Sequence, residues 1–239
     1  MQYKESPLDR FLQQRISDNA KELKNTLMET LQEEQQCLEE IRFSINHCKE
    51  NLVACEKLIK KHNGYSSKML VSKKSAFEDN LNIWNLLGHI QMASIEMKEF
   101  LKRLSVENID DWEQRTIIKS AHTAIYETSK KLVDGTGKIF VFINRYFPSY
   151  DYSELASSRK ELTTFRDNNT SELTRIRKGI DAHRENDIVA QLETIEGLHL
   201  SNAVELINEY GMIINKLGHT VKPIIELGLK RLQETFESR

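Results

Sequence analysis

Residues 20–61, AKELKNTLMETLQEEQQCLEEIRFSINHCKENLVACEKLIKK, decide the fold class. Apolar side chains recur at Leu23, Leu27, Leu31, Leu38, Ile41, Ile45, Cys48, Leu52, Cys55 and Ile59. The steps are mostly four and three, which keeps one stripe on one face of an α-helix; a strand would alternate every second residue. Upstream, Ile16 and Ala20 continue the stripe, and Ser6-Pro7 with Asp9 reads as a helix start. His62-Asn63-Gly64-Tyr65-Ser66-Ser67 reads as the turn that ends it. At 1.5 Å per residue the helix would run ~80 Å, so a bend, a break or a projecting end is expected.

A second helix is expected over about residues 69–104, with Ile83, Leu87, Ile90, Met97, Leu101 and Leu104 in the same rhythm. Phe77, Leu81 and Trp84 widen its stripe, as packing against more than one helix requires. A short turn between two long helices implies an antiparallel hairpin. Asp110 or Asp111 can cap a third helix from Trp112, buried through Ile117, Ile118, Ala121, Ile125, Leu132 and Ile139–Ile143. A break at Phe147–Tyr152 precedes a helix capped by Ser153 and running toward Ala182. A short helix from Asn186-Asp187 to Ile195 follows, then a long one capped by Ser201, which Gly218–Pro223 should kink or split. The expected fold is all-α, a long coiled-coil-like helical hairpin over 1–105 and a helical bundle over 106–239.

Composition agrees with this fold class. Nine Gly and three Pro in 239 residues are too few turns for a sandwich, a barrel or a doubly wound sheet. Against 36 Asp and Glu stand 34 Lys and Arg, a net charge of −2, which excludes a histone-like basic protein and an acidic tail protein and argues against nucleic-acid binding through overall charge. The N-terminal residues carry no signal-peptide core, and the longest apolar run, Ile139–Ile143, is far below the ~20 residues that span a bilayer. The expected location is the cytoplasm, with no membrane partner. Cys37, Cys48 and Cys55 share one helical face, but seven residues place two thiols ~10 Å apart, too far for one metal ion. They read as reduced thiols in a seam, and neither a metal nor a cofactor is expected.

Site signatures are few. Asp134-Gly135-Thr136-Gly137-Lys138 has the look of a phosphate loop but lacks the first glycine, the Ser/Thr after Lys and a preceding strand, so it reads as a turn or helix irregularity. The aromatic cluster Phe140, Phe142, Tyr146, Phe147, Tyr150 and Tyr152 has few interleaved basic residues and reads as packing. One segment stands apart: Phe165-Arg166-Asp167, then Arg175-Ile176-Arg177-Lys178-Gly179-Ile180-Asp181-Ala182-His183-Arg184-Glu185. It resembles the HEPN superfamily, helical bundles in which an Arg and a His separated by four to six residues form a ribonuclease site. Three Arg–His pairs in the chain have that spacing, so the likeness rests on the flanking residues and on the bundle, over about 110–239.

The resemblance implies a metal-independent endoribonuclease, active in stress or antiphage defence and working as a homodimer. Arg177 and His183 would be the catalytic pair, with Arg175, Lys178 and Arg184 on RNA phosphates. Lys178 and Glu185 depart from the HEPN pattern, which more often places Asn, Asp or His after the Arg and, in one variant, Tyr two residues after the His. On an unbroken helix Arg177 and His183 would point ~120° apart, so Gly179 or a second copy must bring them together. Two other readings stand beside it. Arg177 and Asp181 at i,i+4 form an ordinary surface pair. Alternatively, the chain is a non-catalytic interaction protein whose hairpin docks a partner.

Overall fold

The computed structural model describes residues 7–61, 65–104, 109–177 and 188–237, and among them there are helices and no strand. The helices are α1 (Pro7–Lys61), α2 (Tyr65–Leu104), α3 (Asp111–Tyr146), α4 (Ser153–Ile176), α5 (Ile188–Glu196) and α6 (Leu200–Glu237). The chain divides into two units. One takes in the chain to Gln35, Ala93–Lys130 and Leu162–Ile214; the other takes in Gln36–Met92, Lys131–Glu161 and Asn215–Arg239.

In the first unit the apolar faces of α3, α4 and α6 close on each other. Ile117, Ile118, Ala121, Ile125, Leu162, Leu173, Ile207 and Ile214 are buried there. Tyr210 stacks on Phe165 at 5.4 Å and exchanges a 2.7 Å hydrogen bond between its hydroxyl and that of Thr128. Burying a tyrosine requires such a partner for its hydroxyl. Beside this core Ser94 of α2 donates to Glu34 of α1 at 2.8 Å, and Lys98 is salt-bridged to the same carboxylate.

In the second unit Cys48, Cys55 and Phe77 form a buried cluster capped by Leu52, Leu81, Trp84 and Leu232. The α1 and α2 contacts here run in the order of an antiparallel pair: a Cβ on Gly88 would meet Ile41 and Ile45, while Glu56 is salt-bridged to Lys74 at 3.0 Å. Burial pushes the Cys48 thiol up to about 11 and raises that of Cys55 as well, so these two stay protonated. Two glycines mark the closest helix approaches. A Cβ on Gly135 would lie 2.8 Å from Leu86 Cδ1, and one on Gly228 would lie 2.7 Å from Asn80 Oδ1.

Several local expectations change. α1 runs unbroken to Lys61, and α2 begins at Tyr65, inside the expected turn. Asp110 does cap α3, its carboxylate accepting from the Glu113 amide at 2.7 Å. The Asp134–Lys138 stretch lies within α3, where the Thr136 hydroxyl bonds back to the Leu132 and Val133 carbonyls. At α4 the capping carboxylate is Asp151, which accepts from the Ser153 amide at 2.9 Å; Ser153 is already helical. Ser201 is likewise inside α6, which continues through Pro223 without splitting. Burial of Leu217, Val221 and Ile224 around the proline offsets the hydrogen bond it cannot donate.

Candidate functional site

Arg177 stands where the α-helical run of α4 ends at Ile176. The first-unit core anchors that end, since Leu173 and Ile176 are buried. This burial turns the Arg177 side chain toward α3, where its guanidinium lies 5.0 Å from the centre of the Tyr126 ring. Its Nε donates to the Glu127 carboxylate in a salt bridge, with Arg177 and Glu127 33% and 39% exposed. An arginine has five N–H donors in a rigid fork. One of them is taken by Glu127, and both Nη groups are without a hydrogen bond to any described residue. The fork is therefore held by a carboxylate on one edge and an aromatic face, with its outer edge still able to meet a phosphate in bidentate fashion.

The other sequence candidates divide. Arg175, on α4, is exposed, and its charge acts on the buried His122 of α3. Burial pushes the His122 imidazole below its ordinary value; Nδ1–H donates to the Ile118 carbonyl at 2.8 Å, Glu172 favours the charged form and Arg175 opposes it. His122 is thus a neutral core histidine. Lys178, His183 and Arg184 lie outside the described residues, as does Asp181, the alternative partner of Arg177. Among the described residues no three His, Cys, Asp or Glu side chains gather as metal ligands would.

Arg115, which pairs with His122 in the Arg–His spacing, has a different role. It is 4% exposed and donates to the carbonyls of Ile195 at 3.0 Å, Glu196 at 2.6 Å and Leu198 at 3.1 Å, and to Asp111 at 2.8 Å. This satisfies the carbonyls left over at the C-terminal end of α5.

No protein-family model, curated protein or solved structure matches the chain. The site must be read from its own chemistry.

Tyr126 and Glu127 were not legible in the sequence. They lie fifty residues before Arg177, on a helix whose visible signal is its buried face, and nothing in their spacing marks them. Helix 3 supplies them because Ile118, Ala121 and Ile125 face the core, which leaves the next two positions on its flank.

Proposed function

We propose that the chain is a metal-independent endoribonuclease of HEPN type, acting as a homodimer in stress or antiphage defence, with Arg177 and His183 as its catalytic residues. The supporting observation is the Arg177 fork, oriented by Glu127 and Tyr126 with its Nη groups uncommitted among the described residues. In such cleavage the ribose 2′-oxygen attacks phosphorus and the bond to the 5′-oxygen breaks. A base takes the 2′-OH proton and an acid protonates the leaving oxygen. Histidine exchanges protons near neutral pH, and a fixed guanidinium offsets the charge that develops on phosphorus. One histidine cannot serve as acid and base at once, so two copies would supply both. Arg175, Lys178 and Arg184 would hold neighbouring phosphates.

A second reading has an observation of its own. The Glu127 carboxylate neutralises Arg177, as in a purely structural pair, and this favours a non-catalytic interaction protein. Its partner would not enter the α1 seam, because Leu31, Ile41 and Cys48 are buried within the chain; exposed side chains such as Phe43 would have to meet it.

Cleavage of a mixed RNA pool in EDTA separates the two. The wild type is expected to cut, with Arg177→Ala slowed about 10²–10³-fold and His183→Ala inactive. Equal cutting by wild type and both variants would remove these residues from the site, and no cutting by any would leave the interaction reading.

A further inference from the structure

At one end of the second unit, α2, the close of α3 and the last turns of α6 bring cations onto aromatic rings. Lys73 lies 4.2 Å from the Phe236 ring centre, Arg231 lies 4.3 Å from that of Tyr146, and Lys230 lies 5.8 Å from that of Phe147. Arg145 is 5.8 Å from the Tyr146 centre on its own helix. None of these four cations is in a salt bridge among the described residues, whereas nearby Lys74 is held by Glu56 and Glu78. The carboxylate facing the group is Asp79, which acts electrostatically with both Arg145 and Arg231 without closing a salt bridge to either. Glu226 and Glu234 lie one turn to either side of Lys230.

In a chain of net charge −2, four cations outside any salt bridge among the described residues, set around Asp79, Glu226 and Glu234, leave this end of the unit net positive. Phe236 is 54% exposed, with Lys73 over its ring and Phe77 against it edge-on, so ring surface is still open to stacking. Guanidinium planes and aromatic faces both stack bases, while the cations meet phosphates. We infer that this end of the second unit, built on Lys73, Arg145, Lys230 and Arg231, binds single-stranded nucleic acid through its phosphates, with Phe236 as a stacking platform. The site goes beyond the proposed cleavage chemistry: its residues are not those around Arg177, and its binding does not require catalysis.

The test is fluorescence anisotropy of a labelled 2′-O-methyl uridine 20-mer, which 2′-OH attack cannot consume, with the full chain between 50 and 200 mM salt. Single strands release about 0.7 counterion per neutralised phosphate, so a log–log salt slope of about −3 is expected. The exposed pair Arg145→Glu with Lys230→Glu should weaken binding at least tenfold and roughly halve the slope, while Lys49→Glu, an exposed α1 lysine outside this group, binds as wild type does. Helical circular dichroism unchanged in the double variant shows that its loss is not unfolding. Absence of binding at 50 mM salt, or equal binding by the double variant, would overturn the inference. So would equally tight binding of the duplex, or capture of phosphatidylglycerol vesicles with none of the oligonucleotide.

Discussion

Arg115 shows how much one buried side chain can hold. Its guanidinium, itself buried, donates to three carbonyls at the end of α5, so truncation loses all three bonds in a part-buried setting. Arg115→Ala is expected to lower stability by about 2–3 kcal/mol in urea unfolding, and Arg115→Lys to recover only part, because an ammonium cannot fork. Asp79 is the other residue with a measurable signature. Burial outweighs the attraction of Arg145 and Arg231 and pushes its carboxyl up to about 6 from an ordinary 3.8. An acid whose folded value is raised binds its proton more tightly when folded, so the ionised form is penalised above pH 6. The penalty fades as pH falls toward 4. Asp79→Asn should therefore be more stable than wild type by about 1–2 kcal/mol at pH 7.5, with the gap closing near pH 4. A gap that does not change with pH in urea titrations would show that Asp79 is not desolvated.

Among the elements, α6 offers a paired comparison. Gly228 is pressed against Asn80 and Ile83, and its carbonyl accepts from Asn80 Nδ2 at 2.8 Å, whereas a Cβ on Gly211 would meet nothing within 4 Å. Alanine is favoured over glycine in a helix by ~1 kcal/mol where there is room, while overpacking costs about 1–3 kcal/mol. Gly211→Ala should raise the thermal midpoint and Gly228→Ala should lower it, the same substitution in the same helix with opposite sign. Two midpoints moving together would mean that α6 does not lie against α2 at Gly228. The helix also continues through Pro223 without splitting: a proline costs one bond and a clash, and buried neighbours on both sides offset them.

For the whole molecule, α1, α2, α3, α4 and α6 each carry residues of both units, so neither unit is a contiguous stretch of chain. A helix that runs through two cores transmits the loss of one to the other. Hydrogen exchange is expected to show the slowest amides of both units opening with one common free energy, and Gly228→Ala should lower both. Loss of protection confined to the second unit would contradict this coupling.

The sequence by itself determined the helical class, the six elements and most of their buried faces. A 4-3 periodicity is a local consequence of 3.6 residues per turn, and Leu31, Ile41, Cys48, Ile83, Ile117 and Ile214 show it without any neighbour being known. Its flanking residues also singled out Arg177 as a candidate. What it left open are the pairings across long separations: Glu127 and Tyr126 against Arg177, Arg115 against the end of α5, and Arg231 and Lys230 over Tyr146 and Phe147. The aromatic run at Phe140–Tyr152 looked poor in basic residues because two of its cations, Lys230 and Arg231, come from α6, more than eighty positions later. Side-chain periodicity says which face of a helix is buried; only tertiary packing decides which distant charge comes to lie on its flank.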